Sequence, residues 1–132
     1  MAEIRDVTKD KALEDIADNC NKLTYVTSDS VGNGELMENL TPVAEVSLTL
    51  GDGMGDYTIG DYTGSGGGRK LTVAAKNVTA SATETAQSWV LNDGTTAYSS
   101  AAITAKAMTE GNVYESPEFV GAIVNDATAV TL

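Results

Sequence analysis

The chain opens with one helical period and then changes to a period of two. Ala12, Leu13, Ile16, Ala17 and Cys20 recur at spacings that place them on one side of a helix, with Glu14, Asp15 and Asp18 off that stripe. The pattern predicts a helix over 8–21, capped by Thr8 or Asp10, after an N-terminal arm of residues 1–7. Beyond it, β-branched and small residues alternate in short runs separated by glycine or asparagine every ten residues or so, which is the texture of antiparallel β structure. In Pro-Val-Ala-Glu-Val-Ser-Leu-Thr-Leu (42–50), Ala44, Val46, Leu48 and Leu50 share one face and Val43, Glu45, Ser47 and Thr49 the other. Residues 69–76 repeat the scheme, with Leu71, Val73 and Ala75 inward and Lys70, Thr72 and Lys76 outward.

Two turns complete the pattern. Asp93-Gly94 suits a two-residue type I′ hairpin, which would set Trp89 opposite Tyr98 and Leu91 opposite Thr96. A second turn is expected at Glu110-Gly111-Asn112. It leads to a last strand in which Phe119, Gly121 and Ile123 alternate with Val120, Ala122 and Val124. Both faces of that strand are apolar, so it should lie centrally in a sheet or beneath a neighbouring subunit. The whole reads as a single mainly β domain over 1–132, an antiparallel, jelly-roll-like β-sandwich with one short N-terminal α-helix.

Composition restricts what such a domain can do. Eight Lys and Arg against nineteen Asp and Glu give a net charge of −11, which disfavours nucleic acid and anionic membrane as partners. The single cysteine, Cys20, can form no intramolecular disulfide, and its place on the apolar stripe makes it a core residue. The chain has no histidine, which removes the commonest general base and the usual nucleophile partner, so the protein is not expected to be an enzyme. A charged N-terminus and the lack of any ~20-residue apolar run point to a soluble product of the cytosol. Aromatic residues make up 5% of the chain, which implies a thin core and stabilisation by homo-oligomerisation, as a dimer or trimer.

The glycine-rich stretch 51–68 invites a ligand but completes no known pattern. A calcium β-roll repeat laid on Asp56 has Asp52 and Met54 where glycines belong and Thr58 where a large aliphatic belongs. An EF-hand loop over 52–63 would end in Thr63 instead of glutamate. In Gly-Ser-Gly-Gly-Gly-Arg-Lys-Leu (64–71), Arg69 separates glycine from lysine and Leu71 follows, which breaks the phosphate-binding signature. The expectation is therefore a solvated Gly/Asp-rich loop without a cofactor, in which Asp52, Asp56 and Asp61 are the oxygens a calcium ion would use. Asp56 and Asp61 as an acid/base pair would need an aromatic-lined cleft, and the chain has one Trp and one Phe.

The helix Ala-Leu-Glu-Asp-Ile-Ala-Asp-Asn-Cys-Asn-Lys-Leu, the later Gly-Gly-Gly-Arg-Lys-Leu, the hairpin around Asn-Asp-Gly-Thr and the segment Met-Thr-Glu-Gly-Asn-Val-Tyr-Glu-Ser-Pro-Glu-Phe-Val-Gly occur in this order. Together they resemble the small β-sandwich head decoration, or cement, proteins of tailed bacteriophages. The resemblance implies a non-enzymatic virion structural protein that is made in the host bacterial cytoplasm. It would bind the outer capsid surface and bridge neighbouring subunits of the phage major capsid protein. The competing expectation is a phage tail or fibre domain that binds a host-surface sugar or receptor, with Tyr57 and Tyr62 as stacking platforms. For bridging, the candidate contacts are Ile4 and Val7 before the helix, Val130 and Leu132 in the tail 128–132, and the Val120, Ala122 and Val124 face.

Overall fold

The structure, a computed structural model, describes residues 5–32 and 34–124. Helix α1 (Asp6–Asn19) precedes nine strands: β1 (Lys22–Val26), β2 (Pro42–Ser47), β3 (Tyr57–Asp61), β4 (Gly68–Val73), β5 (Lys76–Ala80), β6 (Glu84–Asn92), β7 (Ala97–Met108), β8 (Val113–Ser116) and β9 (Phe119–Val124). They form a six-stranded sheet in the order β7-β6-β1-β2-β5-β8 and a three-stranded sheet in the order β3-β4-β9. All the strand pairs are antiparallel. Strands β6-β1-β2-β5 have the spatial order of a Greek key. The larger sheet curls strongly, and the fold is β-sandwich-like with one short helix, as the sequence pattern implies.

The small sheet and α1 close the concave side of the large one. Leu13 and Ala17 of the helix and Cys20 at its C-terminal cap meet Tyr57, Leu71 and Val73 of the small sheet and Leu23, Val43 and Leu91 of the large one in a single core. Trp89 of β6 and Phe119 of β9 stack across the two sheets, with ring centroids 4.2 Å apart. The other side of β1 and β6 is also covered. There Val26, Val90 and Ala97 pack beneath Val31, Met37 and Leu40 of the 27–41 connection. Thr24 and Asn92 are buried on the same side. The Asn92 amide donates to Thr24 Oγ1, and the Thr24 hydroxyl donates to Glu45, each at 3.0 Å.

Several expected elements are displaced, each for a local reason. The helix begins at Asp6, so Val7 belongs to it and the arm 1–7 is shorter than expected. Neither Thr8 nor Asp10 caps it. Arg5 occupies the cap position without a side-chain bond, and Asp10 instead accepts from the Arg69 guanidinium of β4 at 2.7 Å. Ala12 is exposed, while Lys9 takes the inward position and reaches Asp6 at 3.5 Å. In β2, the register slips at Val43, which becomes an extra residue. A bulge breaks strict alternation, so Val43 and Ala44 are both buried. The strand ends at Ser47 and leaves Leu50 40% exposed.

The run 69–76 is two strands rather than one. β4 ends at Val73, the chain crosses between sheets, and Lys76 starts β5, which leaves Ala75 exposed. The Asp93-Gly94 turn is a four-residue connection. A type I′ turn needs positive φ at both central residues, but only Gly94 has it, and the Asp93 carboxylate instead accepts from the Thr95 and Thr96 amides at 2.9 and 2.8 Å. Trp89 therefore faces Ala101 and Leu91 faces Ser99, and Tyr98 falls in the register irregularity. The stretch 51–68 is not one loop, because β3 runs through its middle. Its last glycine is structural: Gly68 has a φ of 131°, and a methyl group there would collide with the Ile123 carbonyl of β9. Finally, β9 is an edge strand rather than a central one, with Val120 47% and Val124 46% exposed.

Candidate functional site

The curl of the large sheet brings its first and last strands to opposite sides of one cleft. Strands β7 and β8 are joined through a tight turn in which Gly111 has a φ of 87°. Yet they do not pair: β7 pairs with β6, and β8 with β5. The chain splays open from this turn like a wedge. At its apex the Thr109 amide donates to the Tyr114 hydroxyl at 2.8 Å, and that bond, together with nearby Lys106, holds the phenol below its ordinary pKa. Between the strands lies a cleft of about 440 Å³. A volume of that order is typical of small-ligand sites, ~300–1,000 Å³.

The floor of the cleft is aromatic. Trp89 and Phe119, the sole Trp and Phe of the chain, lie there with Tyr25 and Tyr114. Tyr25 is fixed by a 2.6 Å hydrogen bond with Ser116 of β8. Ile103, Thr104 and Lys106 of β7 form one wall, with the Lys106 ammonium 5.7 Å from the centre of the Tyr114 ring. Glu115 and Pro117 stand on the other wall. Between Ala86 and Ser88 of β6 the register slips, so that Ile103, Thr104 and Ala105 all bulge opposite Gln87. The bulge bends β7 where it lines the cleft.

A second surface lies on the outside of the small sheet. Cross-strand register places Thr58, Thr72 and Val120 in one row and Gly60, Lys70 and Ala122 in the next, with Val124 beside Gly68. None of these positions is acidic, although the chain carries nineteen carboxylate side chains. Among the described residues, the free side of β9 has no strand partner and adds a strand edge to this face. By contrast, the edge of β3 is covered: Asp52 accepts from the Ile59 amide at 2.8 Å, and the Gly53 amide donates to the Tyr57 carbonyl at 2.8 Å. A carboxylate on a strand edge blocks further pairing.

The three aspartates do not converge. While Asp52 caps β3, Asp56 accepts from the Thr49 amide at 2.7 Å and the Lys76 ammonium at 3.2 Å, and Asp61 accepts from Arg69 at 2.5 Å. Burial pushes the Asp56 carboxyl up, but the Thr49 amide and Lys76 outweigh it and hold it below the usual range. Among the described residues, no three His, Cys, Asp or Glu side chains are grouped to hold a metal ion. Tyr57 is no stacking platform. It is fully buried and its hydroxyl donates to the Cys20 carbonyl at 2.6 Å, whereas Tyr62 is half-buried. Cys20 is buried too, and burial, then Asp93 and Asp15, push its thiol up to about 12, which leaves it protonated and inert at neutral pH.

No family model, curated protein or solved structure matches the chain. Function therefore rests on the two surfaces. Of the expected contacts, Val120, Ala122 and Val124 lie together on the β9 face, and Val7 is 48% exposed on α1. Ile4, Val130 and Leu132 lie outside the described residues. The cleft residues Tyr25, Ile103, Tyr114 and Phe119 carry no local motif, and the signal that points to them is the scarcity of aromatics combined with their convergence.

Among the described residues, no helix is long and apolar enough to cross a membrane.

Proposed function

We propose that this chain is a non-enzymatic virion structural protein that binds the outside of a phage capsid and stabilises it by bridging neighbouring major capsid protein subunits. The supporting observation is the placement of strand edges that are open among the described residues on both sheets: β9 ends the small sheet, and β7 and β8 end the large one. One copy thus presents two separate docking surfaces, as a bridging protein needs. Symmetry multiplies such contacts over a lattice, so each can be modest. The acid-free outer face of the small sheet suits close approach to another protein better than the rest of a chain with a net charge of −11. Covering β9 by a second or third copy of the chain would produce the homo-oligomer that a thin core favours.

The test is binding to phage heads that lack the protein. Saturation at a copy number fixed by the lattice, with increased resistance of the heads to heat, is the expected outcome. Heads that take up no protein, or take it up without saturation, would refute the proposal. The aromatic cleft favours a second reading, a tail or fibre domain that binds a host-surface sugar, because Trp and Tyr rings beside polar groups can stack on a pyranose. Saturable quenching of Trp89 by a monosaccharide would select that reading.

A further inference from the structure

The cleft between β7 and β8 has a property that a small-molecule pocket does not need: both of its walls are strand edges. Among the described residues, the free side of β7 makes no backbone hydrogen bond from Ser99 to Met108, and the free side of β8 makes none from Val113 to Ser116. Exposed backbone donors and acceptors of this kind are templates for another strand. Natural edges are usually protected by charge, proline or a covering loop, as Asp52 and Gly53 protect β3. Between Ser99 and Met108 of β7 the exposed residues are instead Ala101, Ala102, Thr104, Ala105 and Ala107, with Lys106 as the single charge. Small side chains leave the backbone open to approach on either side of the bulge at Ile103–Ala105.

We infer that the β7–β8 cleft is an acceptor site for an extended polypeptide arm of a partner protein, whose backbone pairs with the free side of β7 while one large apolar side chain seats on Trp89 and Phe119. The arm would follow the period of two, with its anchor turned into the cleft and its neighbours facing solvent. Its flanks would be basic or neutral, because this chain carries a net charge of −11. Applied to the capsid, this rests on the function proposed above and makes the major capsid protein the donor of the arm.

The sole tryptophan lies in the site, so its emission reports occupancy directly. The probes are acetylated, amidated nonapeptides Lys-Thr-Val-Thr-X-Thr-Val-Thr-Lys, with X as Leu, Phe or Met, titrated into the full chain. The expected result is a saturable one-to-one change in Trp89 emission for at least one of them. Methylating alternate amide nitrogens of that peptide, which abolishes strand pairing but keeps the side chains, should weaken binding at least about tenfold. Thr104→Tyr, at an exposed position on the cleft wall, should fold normally and also bind at least about tenfold more weakly. The inference is overturned if no peptide changes the emission, if methylation makes no difference, or if a methyl glycoside alone reproduces the change. Heads lacking the protein separate the two proposals. Peptide binding without head binding by the unaltered chain sinks the capsid reading alone. Head binding that is identical for the unaltered chain and Thr104→Tyr, with no peptide response, sinks the acceptor site alone.

Discussion

Removing one oxygen atom, by Tyr57→Phe, tests how the helix is fastened to the sheets. The Tyr57 ring is fully buried between the two, and its hydroxyl donates at 2.6 Å to the carbonyl of Cys20, immediately after the last turn of α1. Burial, with Cys20 and Asp56 nearby, raises the phenol well above its ordinary pKa, so it stays a donor at any ordinary pH. Phenylalanine keeps the ring and fills nearly the same space, so the cavity contribution is small. What is lost is a buried hydrogen bond, together with the partner of a buried carbonyl, and that costs about 1–3 kcal/mol. At this chain length, each kcal/mol lowers Tm by roughly 4 °C, so a fall of roughly 4–12 °C is expected. Urea unfolding followed by Trp89 emission should show a lower midpoint with an unchanged slope. Tyr62→Phe, at a half-buried ring, is the control and should stay within about 0.5 kcal/mol of the parent. If the two variants behave alike, Tyr57 does not clamp the helix and the packing described for α1 is wrong.

Other substitutions probe the remaining joints. Asp56→Asn should destabilise at neutral pH, and the difference should shrink in acid. The folded carboxyl titrates below its ordinary value, so its stabilisation is complete above that value and lost as pH falls through the folded one; midpoints at pH 7 and pH 3 will show this. Replacing Asp52, Asp56 and Asp61 together with asparagine should lower the urea midpoint rather than leave it unchanged, because each carboxylate holds a different amide or cation. Gly68→Ala should cost at least about 2 kcal/mol by thermal unfolding, since it combines a strained φ with a backbone collision against β9. Trp89→Ala should cost about 3 kcal/mol, the lower part of the usual range, because the ring is stacked on Phe119 but only partly buried.

The fold was legible where a residue's own segment dictated its environment. Leu13, Ala17 and Cys20 recur at helical spacing, and Leu71 and Val73 at strand spacing, and all five are buried. Reading failed where a distant partner decided the outcome. Asp10 looks like a cap until Arg69 arrives from 59 residues away. The Asp93-Gly94 pair failed for a local reason instead: it satisfies a turn rule, yet the Asp93 side chain accepts from the Thr95 and Thr96 amides and lengthens the connection. Tyr57 sits in a run of glycine and aspartate that looks solvated, but its depth is set by the carbonyl of Cys20. The cleft was illegible for a related reason. Its aromatics come from β1, β6, β8 and β9, and no pattern within one segment marks residues that meet only when a sheet curls.

The stacking of Trp89 on Phe119 also bears on how the protein emerges from the ribosome. Helix α1 is synthesised first, but Arg69, its ion-pair partner, follows 59 residues later, and Phe119 and Ile123 come later still. At ~5–20 residues per second, the helix waits several seconds for β3 and β4, the strands of the small sheet that its apolar stripe packs against. Because β9 completes the small sheet, a nascent chain halted before Phe119 would have α1, β3 and β4 but would leave one side of β4 unpaired and Trp89 without its stacking partner. Such intermediates expose unpaired edges, and a cell would have to shield them until the last strand is made.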